Sequence, residues 1–200
     1  MNHKTTGSAA TATVDLPSPH TAGERAAVIL DLVQEHPEFD RLRASTLKYP
    51  TCWATFTGYP LIAEWDLDAD GPHLFVEGLR TMAMKAAVFE LTRDDRSAEL
   101  LISAPVDEMV HALTAQFTIL SRIQNDLALV FIHSTDAERF DYDVDGYTDQ
   151  IYRAAGWGEL PRRYWLGKTE TKRRLDILFE RYESIGVQAG GRAHFFTFGR

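Results

Sequence analysis

The sequence predicts an α+β domain: a mixed, mainly antiparallel sheet with one βαβ unit and flanking helices. Three observations lead there. Short runs rich in aromatic and β-branched residues follow one another between residues 51 and 103, and Gly58 with Pro60 and Asp70-Gly71-Pro72 separate some of them. The stretch Glu99–Ile132 reads as strand, helix and fully buried strand, which makes its two strands parallel. Apolar stripes of helical period lie on either side of this region.

Residues 1–20 are Thr-, Ala- and Pro-rich with almost no large apolar side chain, and so predict a disordered tail ahead of a single domain over 21–200. Thr21 with Glu24 forms a capping box, and Ala26, Ile29, Leu30 and Val33 give the first helix its stripe. Pro37 ends it, and a short helix over 38–46 follows. The expected meander then takes Thr51–Thr57, Leu61–Asp66, His73–Leu79, Ala86–Thr92 and Glu99–Ser103 as strands. Pro105 opens the clearest helix, with Asp107 and Glu108 at its positive end and Val106, Met109, Val110, Leu113, Phe117 and Leu120 on its buried face. Asn125 is its expected left-handed cap, and Leu127–Ile132, without a polar residue, its following strand. Beyond an acidic loop over 134–145 the sequence predicts a short helix to Ala155, closed by Gly156. An aromatic strand over 157–166, a helix over Thr169–Ser184 and a last strand over Ala193–Phe198 complete the reading.

Composition bounds the class. The 200 residues are 44% hydrophobic and 25% charged, as in ordinary globular proteins, and no apolar run is long enough for a membrane span. No secretory signal is evident, so a cytoplasmic setting is expected. A single cysteine, Cys52, allows no disulfide within the chain and no multi-cysteine zinc site. A net charge of −8 argues against nucleic-acid binding by the whole surface.

Ile151-Tyr152-Arg153-Ala154-Ala155-Gly156-Trp157, after a buried strand, resembles the Leu/Ile-Tyr-x-x-x-Gly-Phe/Trp segment of the GNAT superfamily of acyl-CoA-dependent N-acyltransferases. The order of predicted elements resembles that family as well. The resemblance implies acetyl-CoA or another acyl-CoA as cofactor. Its pantetheine would pair with the 99–104 strand and its pyrophosphate would face the start of the Pro105 helix, so that Ile102, Ser103, Ala104 and Val106 would line the cofactor, with Arg162 and Arg163 near its phosphates. Tyr152 would return a proton to the departing thiolate, and Glu90 or His133 would take one from the amine acceptor. On that reading Tyr152→Phe lowers turnover with little change in stability. The segment 103–108 contains no glycine where the family's phosphate loop has them.

Other features carry their own readings. Asp141-Tyr142-Asp143-Val144-Asp145-Gly146 has the spacing of half a calcium loop, but the twelfth position is Tyr152 rather than glutamate, so a solvated acidic loop is the favoured reading and no metal site is assigned. Gly167-Lys168-Thr169 lacks the first glycine of a phosphate loop, since position 162 is Arg162. The excess of positive charge over Arg162–Arg174, with Tyr164 and Trp165, offers contact to nucleic acid or a cofactor phosphate; the competing reading is a solvated face paired with the acidic loop. His73, His111, His133 and His194 show no ligand spacing with one another, and His111 falls among buried positions of its helix.

Two functions follow as expectations. The first is a GNAT-like acyltransferase moving an acyl group to a small-molecule or macromolecular amine. The second, which accounts directly for the missing glycines, is a non-catalytic α+β binding or adaptor module with an acidic loop and a basic helix. Either leaves self-association open.

Overall fold

The computed structural model describes residues 15–48, 66–134, 141–184, 187–189 and 196–198. They form eight helices and one small ribbon: α1 (Pro19–Glu35), α2 (Phe39–Leu47), α3 (Leu67–Thr92), α4 (Asp95–Ala98), α5 (Ala104–Thr114), α6 (Phe117–Leu127), α7 (Tyr147–Ala154), α8 (Lys168–Ser184), β1 (Val187–Ala189) and β2 (Phe196–Phe198). The expected α+β fold with a mixed sheet and a βαβ unit is therefore incorrect. Among the described residues the only strand pairing is β1 with β2, antiparallel, with Val187 opposite Phe198. The GNAT resemblance falls with it, because that fold is built on a central sheet.

The largest departure is α3. The segments 73–79 and 86–92, read as two strands, lie on one continuous helix. Asp66 caps it, its carboxylate accepting from the N–H groups of Asp68 and Ala69. Pro72 falls inside the helix without ending it. Thr81 to Val88 is buried at every position, with α1, α5 and α7 packed around the helix. A helix covered on all sides has no polar stripe, so its period is hidden in the sequence.

Locally capped elements follow the sequence more closely. Helix α1 starts at Pro19, two residues ahead of Thr21, because Ser18 caps it and accepts from the N–H of Thr21. Its Ala22, Ala26, Ile29, Leu30 and Val33 enter the main core. The Pro105 helix is also present, but it stops at Thr114, and α6 begins at Phe117, which is 74% exposed rather than buried. The left-handed cap is Ala128, not Asn125. Leu127 ends α6, and residues 129–134 run without regular structure, burying Leu129 and Ile132 while Val130 is exposed. No strand forms over 99–103 or 157–166 either. The strands expected over 51–57 and 61–66 fall almost wholly outside the described residues, as do Cys52 and the N-terminal tail to residue 14.

Helices α1 and α7 meet at Gly23. A β-carbon there would lie 2.7 Å from the Ile151 carbonyl oxygen, the Ala155 nitrogen and the Ala154 β-carbon. Two of those atoms are backbone and cannot step aside. Gly23→Ala is therefore expected to destabilise the protein by about 1–3 kcal/mol through overpacking, although alanine is the better helix former. Urea unfolding of the variant checks this, and unchanged stability would mean that the two helices do not cross so closely.

Among the described residues no helix is long and apolar enough to cross a membrane.

Candidate metal centre

Helix α5 carries an Asp-Glu-x-x-His run, Asp107 to His111, on a segment packed against α3. One turn of helix separates positions 107 and 111, so their side chains rise on the same face. Asp107 Oδ2 lies 3.6 Å from His111 Nε2, and Glu108 Oε2 lies 3.4 Å from His111 Nδ1. Both carboxylates are buried. The third participant arrives from the irregular 129–134 segment: the His133 ring meets that of His111 edge-on at 4.8 Å between centroids. One donor atom from each of Asp107, His111 and His133 lies within 4.8 Å of the other two.

These distances suit a metal ion. Donors at ~2.0–2.1 Å from a tetrahedral centre stand roughly 3.4 Å from one another, close to the Asp107–His111 separation. Two imidazoles and one carboxylate form a donor set for a borderline divalent ion such as zinc or iron(II). With Nε2 of His111 toward the ion, Nδ1 faces Glu108, an outer carboxylate that fixes ring orientation and tautomer.

Of the residues singled out in the sequence as site candidates, only His133 belongs to this centre. Glu90 lies on a helix, not a strand, and its carboxylate accepts from Arg25 at 2.8 Å. Tyr152 is wholly buried; its hydroxyl donates to Glu77 and accepts from Arg80, and burial among these groups raises the phenol above its ordinary range. Tyr152→Phe should thus carry a stability cost that the sequence alone does not indicate. The segment expected to present an open strand edge is covered instead. Ile102, Ser103, Ala104 and Val106 are buried, the Leu101 carbonyl accepts from Thr148, and the Ser103 hydroxyl donates to the Tyr164 carbonyl.

The basic stretch is largely spent on ion pairs. Arg162 binds Asp149 at 2.7 Å and Arg163 binds Asp70 at 2.7 Å. Lys168 pairs with Asp143, Lys172 with Asp176, and Arg173 and Arg174 both with Glu170. The acidic loop is likewise engaged: Asp145 meets Arg153, and the buried Asp149 accepts from the Tyr142 hydroxyl and the Asp145 N–H. Carboxylates held by guanidinium and ammonium groups are poor calcium ligands, so the half-motif at 141–146 reads as a turn leading into α7.

His111 is legible in the sequence as a helix-face residue, and the Asp107–His111 spacing is the available signal for a shared ligand pair. Its completion by His133 depends on tertiary structure. No family model, no curated protein and no solved structure matches this chain.

Proposed function

We propose that this protein is a metal-binding domain with a three-donor, catalytic-type centre formed by Asp107, His111 and His133. The observation that carries the reading is the convergence of two imidazoles and a buried carboxylate, from two separate parts of the chain, within 4.8 Å. Structural zinc sites use four protein donors, whereas three leave a position for water or substrate. When bound, a divalent ion in such a setting supplies Lewis acidity and lowers the pKa of water. The chain's own contribution is geometric. Asp107 and His111 offer donors from one helix face, His133 closes the set, and Glu108 holds the His111 ring.

Acyl-CoA does not enter this proposal. Its support was a strand and a motif tyrosine, and the fold has a buried coil and a core residue in those places. The basic helix also offers little to nucleic acid while its charges are paired.

Equilibrium dialysis of the full chain against zinc, with metal analysis, tests the proposal. One ion per chain is expected, and His111→Ala or Asp107→Ala should weaken binding by more than the roughly 10–100-fold typical of outer-shell changes. Zinc uptake that is absent, or that survives both substitutions unchanged, overturns it.

A further inference from the structure

The segment that carries His133 has no helix or strand to hold it, yet side chains from other elements take its backbone on both sides. Two residues before His133, the Phe131 N–H donates to Gln124 Oε1 of α6 at 2.8 Å. One residue after it, the Ser134 N–H donates to Glu99 Oε1. The other oxygen of Glu99 accepts from Lys85 Nζ of the central helix α3. The Lys85 and Glu99 side chains are only 2% and 8% exposed. A fully buried ion pair gives little net stability over a well-packed apolar pair, so its presence here asks for another reason. What an apolar pair could not do is accept the Ser134 N–H at a set place.

Resting on the metal-centre reading, we infer that Glu99, held by Lys85, is a positioning residue for His133 and thereby sets the affinity and coordination geometry of the site. Glu99 offers nothing to the ion itself. Its carboxylate bridges α3 to the chain immediately after His133, so the imidazole approaches Asp107 and His111 from a defined direction. Gln124 secures the opposite end of the same segment. Outer-shell groups of this kind act through the orientation of the ligand they hold.

Cobalt(II) is the probe, because its visible absorption reports the number and arrangement of donors. In the full chain, Glu99→Ala is expected to raise the cobalt dissociation constant by roughly 10–100-fold and to change the spectrum as the His133 donor is displaced. Glu99→Gln, which keeps an acceptor for Ser134, should return the parent spectrum even where thermal stability stays low. Gln124→Ala, which removes the neutral hydrogen bond at the other end of the segment and leaves the Lys85–Glu99 pair intact, should shift affinity in the same direction by a smaller factor and covers the case in which Glu99→Ala does not fold. Val33→Ala serves as a remote control: it should lower the melting temperature without moving the spectrum. If the parent binds cobalt through His111 while Glu99→Ala and Gln124→Ala keep its spectrum and affinity, the positioning role is wrong and the metal centre stands. If the parent takes up no cobalt, both fail together.

Discussion

Replacing Glu77 by alanine is expected to destabilise the protein by about 3–5 kcal/mol, the cost of stripping a buried charged group from its partners. Glu77 lies on α3 and is 3% exposed. One carboxylate oxygen accepts from Arg80 Nη1 at 2.8 Å and from the Tyr152 hydroxyl at 3.1 Å. The other accepts from the indole N–H of Trp165 at 2.7 Å. A single side chain thus ties the central helix to α7 and to the buried turn before α8. Arg80 in turn lies over the Tyr152 and Trp157 rings, 5.3 and 5.4 Å from their centroids. Without Glu77, the Trp165 N–H and the Tyr152 hydroxyl lose their acceptor in the core, and Arg80 loses its counter-charge. Glu77→Gln should cost less, because one amide oxygen still accepts, while the amide nitrogen must face a donor. Urea unfolding followed by tryptophan fluorescence reads both variants. A loss below about 1 kcal/mol for the alanine variant would show that the network does not hold these elements together.

The second large effect is tied to pH. Asp70, buried in α3, accepts from Arg163 Nε at 2.7 Å and Nη2 at 2.8 Å. The Tyr164 hydroxyl at 2.7 Å and the Asp66 N–H at 2.9 Å complete its shell. The Arg163 guanidinium, aided by these hydrogen bonds, holds the carboxyl well below the usual carboxylate range. In the unfolded chain the same group titrates near ~3.9. A depressed folded value means that stability is gained above the unfolded value and lost as pH falls through the folded one. Asp70→Asn is therefore expected to cost about 2–4 kcal/mol at neutral pH, at the lower side of buried pairs because Arg163 is partly exposed. The gap between parent and variant should begin to narrow below about pH 4, where the carboxyl of the unfolded chain takes up a proton while that of the folded chain stays ionised, and should go on narrowing as pH falls toward the depressed folded value. Unfolding free energies measured from pH 3 to 7 decide the matter. A gap that stays constant across that range would show that the charge on Asp70 contributes nothing.

Elements with local signals are legible in the amino-acid sequence. The stripe on α1, the Pro105 start of α5 with Asp107 in its first turn, and the glycine after α7 all act within a few residues, and each element is present. The pattern misleads where burial, rather than local preference, decides it. Thr81–Val88 is buried at every position, the ion-paired Lys85 included, because neighbours surround it, not because it alternates across a sheet. The run 127–132 lacks polar residues, yet Ala128 turns it left-handed and the chain continues as coil whose N–H of Phe131 finds a side-chain acceptor.

Residues that are neighbours along the chain were enough to set the stripe on α1, the Pro105 start of α5 and the one-turn spacing of Asp107 and His111. Contacts between distant segments settled that Leu67–Thr92 is one central helix and that Tyr152 is spent on Glu77. The same contacts bring His133 beside His111. Those outcomes depend on which surfaces cover one another, and burial from every side removes the polar–apolar contrast that a sequence pattern needs.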